Sequence, residues 1–297
     1  MSTARGTFSI VAADLETGEV GCAVQSKYFS VGSVVPWVRA GVGAVATQAA
    51  GVAVYGQLVL EELERGVSPQ EALAHVLADD PGRETRQLGV VTAAGRAAAF
   101  TGVRCNDWAG QRTGAGFAVQ GNILAGPEVV DEMARAYEET SGALVHRLVV
   151  ALEAGQAAGG DRRGQQSAAV VVERAGGRAE SREGIDRICD LRVEDHAEPI
   201  RELRRLAGLW TAWDAQRRAH AAYERGEHAA AADVLLAASA SRDEDTDLLY
   251  NLACYESLAG RRESAIAHLR RAIELSPSFR ELAAGDDDLV AIRDALT

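Results

Sequence analysis

TFSIVAAD (residues 7–14), LETGE (15–19) and VGCAVQSKYF (20–29) decide the fold of this chain. Two runs rich in β-branched and apolar residues, joined by a short turn-forming segment, predict an antiparallel hairpin almost at the start of the sequence. GVGAVATQ (41–48) predicts a third strand. YGQLVLEELER (55–65) carries apolar residues at helical spacing, stops at Gly66 and restarts after Ser68-Pro69 as a second helix through Leu77. Strands return with QLGVVTAAG (87–95), RAAAFTG (96–102) and FAVQGNIL (117–124), followed by helices in PEVVDEMARAYEET (127–140) and LVHRLVVALEAGQAAGG (144–160). SAAVVVE (167–173) reads as a buried strand, with further β character around Asp190 to Val193. Hairpins alternating with helix pairs do not suit parallel βαβ units, so the expected fold is α+β, with antiparallel sheets and helices packed outside.

Only Gly226, Gly260 and Gly285 of the 30 glycines follow Trp210. Glycine suits turns and costs about 1 kcal/mol inside a helix, so the split marks a strand-and-turn region followed by a helical one. In the helical part Gly226 and Gly260, Ala231 and Ala265, and Ala238 and Ala272 repeat at one spacing. The second copy reads LLYNLACYESLAGRRESAIAHLRRAIELSP (248–277), with a short helix expected after it. That period resembles the tetratricopeptide repeat, a helix-turn-helix unit that stacks through small residues. The expected division is a short leader at 1–6, a first domain at 7–206 and a helical-repeat domain at 207–297.

The chain of 297 residues is 47% hydrophobic and 25% charged, as in soluble globular proteins. A formal net charge of -12 gives no electrostatic reason to bind nucleic acid or an anionic membrane. No apolar run is long enough to span a bilayer and the first residues lack a signal-peptide hydrophobic stretch, so the cytoplasm is the expected location. The four cysteines and six histidines are scattered without metal-ligand spacing. No metal and no cofactor are therefore expected. Nucleophile-elbow, phosphate-loop and zinc-protease motifs are absent.

Chemistry is left to the start of the chain. If the Gly6-Thr7 peptide is cut, the freed α-amino group of Thr7, with a pKa near ~8, can take the proton from its own hydroxyl. One residue then supplies both nucleophile and base. An initiation site nearer Thr7, followed by methionine removal, would expose it without self-cleavage.

TFSIVAAD, VGCAVQSKYFSVGSVVPWVRAGVGAVATQ (20–48), CNDWAG (105–110), QGNILAG (120–126), AGQAAGGDRRGQQSAAV (154–170) and DLRVEDH (190–196) together resemble the family called domain of unknown function 1028, over about residues 7 to 206. The resemblance implies the four-layer αββα sandwich of N-terminal nucleophile hydrolases, whose relatives include proteasome β subunits and several amidases. Residue by residue, it implies that Thr7 is the nucleophile, that Gly121-Asn122 stands where those enzymes have a glycine-serine pair, and that Asp161 and Ser167 support the threonine amine. Gln25 stands where they have an aspartate, and Arg39 roughly where they have an activating lysine. An arginine there stabilises charge but relays no proton. Asn122 is the expected oxyanion donor. Gln25, Ser26, Lys27, Gln48, Arg162 and Arg163 are expected to bind substrate, the two arginines through a carboxylate.

The expected activity is hydrolysis of an amide or related C–N bond in a small molecule or peptide. The helical tail is expected to bind a protein partner, and the chain to form a homo-oligomer. The rival expectation is a non-catalytic assembly or binding protein that keeps the sandwich with Thr7 uncut. It draws on the six residues before Thr7 and on the missing aspartate-lysine pair.

Overall fold

In a computed structural model, which describes residues 6–177, 185–240 and 242–296, the N-terminal hairpin forms as its two β-rich runs and the turn between them predict: β1 (Thr7–Asp14) and β2 (Glu19–Ser26) pair antiparallel, with Thr7 opposite Ser26 and Asp14 opposite Glu19. Residues 1–5 of the expected leader lie outside the described residues. The remaining strands are β3 (Pro36–Arg39), β4 (Gly43–Ala49), β5 (Arg86–Thr92), β6 (Ala97–Thr101), β7 (Gly110–Gly114), β8 (Phe117–Asn122), β9 (Ser167–Arg174) and β10 (Arg187–Val193). They build a six-stranded sheet in the order β10-β9-β2-β1-β8-β7 and a four-stranded sheet in the order β3-β4-β5-β6, with every pairing antiparallel. The fold is thus mixed α+β with antiparallel sheets.

β1 is buried along both faces, which its nearly unbroken apolar run requires. One face of its sheet receives α3 (Glu128–Glu139) and α4 (Leu144–Ala157). The other meets the four-stranded sheet through β4 and β5, and that second sheet carries α1 (Val54–Glu64) and α2 (Pro69–Leu77). Val11, Val24, Ala44, Val91 and Val171 fill the space between the sheets away from the Thr7 end. The restart expected at Ser68-Pro69 is a capping box: Ser68 Oγ accepts from Glu71 N–H, and the Glu71 carboxylate accepts from Ser68 N–H.

Two strands went unforeseen. β3 is four residues beginning with a proline, and β7 is GQRTG, which lacks apolar alternation. Both lie at sheet edges, where one neighbour suffices and sequence constraint is weak.

The chain divides into two compact units, Met1–Ala207 and Gly208–Thr297, and α5 (Pro199–Glu224) contains the boundary. The second unit continues with α6 (His228–Ser239), α7 (Thr246–Leu258), α8 (Arg262–Leu275), α9 (Phe279–Gly285) and 3-10 turns over Asp287–Leu296. Gly226 and Gly260 adopt left-handed conformations at φ 77° and 76° just past α5 and α7. The same pair of backbone bonds closes both turns, Gly226 to Tyr223 with Glu227 to Ala222, and Gly260 to Ser257 with Arg261 to Glu256. Ala231, Ala265 and Ala272 are fully buried among Leu235, Leu252 and Leu269, so small residues let these helices approach closely.

Candidate functional site

Register brings four of the expected site residues into one row. Asn122 of β8 lies opposite Thr7 of β1, Thr7 opposite Ser26 of β2, and Ser26 opposite Ser167 of β9. In antiparallel pairs opposite residues share a face, so the row projects into the space between the sheets. All four are buried, with Thr7 at 3% exposure.

Thr7 Oγ1 lies 3.0 Å from Ser26 Oγ, and Ser26 Oγ donates to the Gly6 carbonyl at 2.5 Å. Ser26 has one hydroxyl hydrogen and spends it on Gly6, so Thr7 is the donor of the first bond. The Arg163 guanidinium donates to the same Gly6 oxygen at 2.8 Å. Arg163 is itself fixed by Asp161, with Nη2 to Oδ2 at 2.7 Å, Nε to Oδ1 at 3.1 Å and the backbone N–H to Oδ1 at 2.9 Å. The backbone N–H of Lys27 also reaches Asp161, at 3.3 Å. A side chain at position 6 would place its Cβ 2.7 Å from an Asp161 oxygen, so only glycine fits beside this carboxylate.

Behind the row a chain of amides links the sheets. Asn122 Nδ2 and Gln48 Nε2 both donate to Gln87 Oε1 at 2.9 Å, and Ser9 Oγ donates to Gln48 Oε1 at 2.6 Å. Gln120 Nε2 donates to Ser9 Oγ at 2.6 Å, and Gln87 Nε2 reaches the Gly121 carbonyl at 2.7 Å. Asn122 Oδ1 and Gln120 Oε1 remain buried without a hydrogen-bond partner. Ser9, Gln87 and Gln120 were not singled out in the sequence. Their signal was a polar residue inside a strand otherwise apolar, which acquires meaning only when two sheets face each other.

Thr7 and Ser26 form part of the lining of a cavity of about 120 Å³ that Val31, Val34, Val35 and Ala49 complete on the apolar side. Ala49, which lines the cavity, has a positive φ of 65°, as do Ser30 at 55°, the residue before the lining Val31, and Ile123 at 54°, the residue after Asn122. A β-branched residue in this region costs on the order of 1–3 kcal/mol, and such strain persists where the surroundings fix it. Ile123 is held by its N–H to Asn106 and its carbonyl from Arg162 N–H, each at 3.0 Å. Arg86 Nη1 holds the Ala50 carbonyl at 2.5 Å beside Ala49, and Arg86 in turn pairs with Asp80 at 2.7 Å.

Other expected residues stand differently. Arg39 does not join the site: it pairs with Gly43 at the far end of β4 from Gln48, and its guanidinium binds Glu64 at 2.9 Å. The loop between β2 and β3 carries Arg39 away from the Thr7 end. Gln25 alternates to the opposite face from Ser26, alongside Phe8, where its buried amide finds no partner. Ser167 Oγ donates to the Tyr28 carbonyl at 2.5 Å and accepts from Val31 N–H at 3.0 Å, so it pins the cavity wall rather than Thr7. Asn122 spends an amide hydrogen on Gln87. The Lys27 ammonium is exposed and donates to the Gln165 carbonyl at 3.1 Å, and Arg162 donates to the Asp107 carbonyl.

Thiol chemistry is not favoured. Burial pushes the Cys22 thiol well above its ordinary range and that of Cys105 up to about 11. In the second unit Cys254, Asp286 and Asp288 place ligand atoms within 4.8 Å of one another, but Tyr250 and Tyr223 hydroxyls already donate to the two carboxylates. No helix among the described residues is long and apolar enough to cross a membrane.

Comparison with known proteins gives a family without an assigned activity. The family described as "Family of unknown function (DUF1028)" matches residues 7–203. A crystal structure of protein SPO2555 from Silicibacter pomeroyi, described with the same family, is similar at 34% identity and a TM-score of 0.63, covering 69% of this chain and 89% of that one. No curated protein matches the chain.

Proposed function

The chain belongs to the DUF1028 family of unknown function, and from that premise we propose that it is an amidohydrolase with Thr7 as its N-terminal nucleophile. One observation carries the reading: the carbonyl before Thr7 is held by two donors, Ser26 Oγ and Arg163 Nη2, while the Thr7 hydroxyl donates to Ser26. Attack of Thr7 Oγ1 on the Gly6 carbon develops negative charge on an oxygen that already faces a hydroxyl and a guanidinium. The Thr7 proton passes to Ser26 as the Ser26 proton moves to that oxygen. Collapse breaks the Gly6-Thr7 C–N bond as the proton on that oxygen passes to the leaving nitrogen, which becomes the Thr7 amine, and leaves an ester on Thr7 Oγ1. Water hydrolyses the ester, and the α-amine is free to serve as base.

On this reading the two facing sheets with their helices are the αββα sandwich of N-terminal nucleophile hydrolases. Residues 207–297 are a tetratricopeptide-like module for a protein partner, a fold-level analogy. Asp161 fixes Arg163, and as the neighbour of the cut bond it stabilises the protonated amine of Thr7. The second reading, a non-catalytic binding protein, draws on the same clamp, since two donors on Gly6 also suit a permanently anchored N-terminus.

Thr7→Ala separates the two. We expect it to abolish cleavage at Gly6-Thr7 and to lower amide turnover by more than about a thousandfold, with Thr7→Ser retaining both. Turnover surviving in Thr7→Ala eliminates Thr7 as nucleophile.

A further inference from the structure

The cavity over Thr7 differs in character from the polar row beneath it, and the difference concerns what the site accepts. Its wall is Val31, Val34, Val35, Ala49 and Ala53, and no charged side chain lines it. Besides Thr7, Ser26 and Tyr28, its polar members are turned away: Thr47 Oγ1 donates to the Val52 carbonyl at 3.2 Å, and the Gln48 amide is bound to Ser9 and Gln87. The wall is also fixed. Val31 N–H is bound to Ser167 Oγ at 3.0 Å, Val35 N–H to the Val31 carbonyl at 3.1 Å, and Thr47 N–H to the Val35 carbonyl at 3.2 Å. β-Branched side chains have few rotamers with which to adapt, so the wall selects by shape.

Resting on the hydrolase reading, we infer that the acyl group transferred to Thr7 is a small branched aliphatic one of about four or five carbons, as in isobutyryl or isovaleryl amides. Size sets the scale of the part held against the valines: a closed apolar cavity of roughly 150 Å³ takes benzene, and this one, open at the rim of Gly51 and Ala53, measures about 120 Å³. Chemistry sets its polarity: a charged acyl group would lose its water against valines with no counter-charge. In the reaction Thr7 Oγ1 adds to the acyl carbon, and its proton passes through the Thr7 amine to the leaving nitrogen as the C–N bond breaks. Water then adds to the ester, the C–Oγ1 bond breaks, the proton returns to Oγ1, and the carboxylic acid leaves.

The test uses the full chain, its N-terminus determined by sequencing, with isovaleryl, acetyl, benzoyl and succinyl p-nitroanilides. We expect isovaleryl to lead acetyl by at least about tenfold in kcat/KM, since each methylene in an apolar pocket counts for that much, with benzoyl and succinyl lower still. Val35→Ala should raise the benzoyl-to-isovaleryl ratio about tenfold. Ala53→Leu, at an exposed rim position where folding is not at stake, should lower it by narrowing the pocket. A chain that begins at Thr7 yet prefers succinyl or benzoyl, ranks all four alike, or cleaves none overturns the acyl assignment while leaving the nucleophile. A chain with Gly6-Thr7 intact that releases no p-nitroaniline overturns both.

Discussion

The space between the two sheets has two halves built on the same strands. Away from Thr7, the inward positions of β1, β2, β4 and β8 are Val11, Ala13, Cys22, Ala44 and Ala118. At the Thr7 end the same faces carry Thr7, Ser9, Ser26, Gln48, Gln120 and Asn122, all buried. Six buried polar side chains on these four strands, joined by Gln87 and Ser167 from β5 and β9, and two of the six with orphaned oxygens, are a poor way to gain stability, because an unmade buried hydrogen bond costs about 1–3 kcal/mol. The apolar half holds the sheets together. The polar half spends part of that stability on positioning, the pattern expected where a fold departs from its own rules at a site.

The comparison breaks most sharply at Ser26. Replacing it with Ala removes a donor from the Gly6 carbonyl and the acceptor of the Thr7 proton, so the rate of Gly6-Thr7 cleavage should fall by about a hundredfold or more, followed by mass spectrometry over time. An unchanged rate would make the polar row ordinary packing. In the apolar half, Val91→Ala should cost about 2 kcal/mol in denaturant unfolding while leaving cleavage intact. Its counterpart Gln120→Met removes an orphaned oxygen together with the amide's bond to Ser9, two effects of opposite sign, and should move stability by less than about 1 kcal/mol. Equal losses for the pair would erase the distinction between the halves.

A smaller, pH-dependent effect concerns the strand end beside the cavity. The hydrogen bond from Arg86 holds the Asp80 carboxyl well below the usual carboxylate range, against the opposing effect of burial. A carboxylate depressed in the folded state contributes stability above its unfolded value near ~4 and loses it as the pH falls through the folded one. Asp80→Asn should therefore lower Tm at pH 7, with the gap to the parent narrowing below about pH 4. A gap independent of pH would show that shape, and not charge, matters at position 80.

The hairpin 7–26, both helix pairs and the left-handed glycines after α5 and α7 were legible because each depends on local chemistry: alternation, capping, a turn that needs positive φ. The site was legible in part. Thr7, Ser26, Asp161 and Arg163 meet as neighbours in register or in sequence. Gln25 was misplaced although alternation contradicts it, since a residue next to Ser26 faces the other side of the strand. Arg39 failed because a loop of unknown path separates it from the strand end. Ser9 and Gln120 meet because β1 and β8 pair in register, and Gln87 joins them only when β5 of the other sheet faces that pair, a tertiary fact that no local pattern encodes.

The central claim is that the bond before Thr7 is built to be cut, and intact-mass measurement of the purified full-length product reads it directly. The account predicts a mass corresponding to a chain that begins at Thr7, and full length for Thr7→Ala. A parent chain that keeps Gly6 joined to Thr7 after prolonged incubation would contradict it.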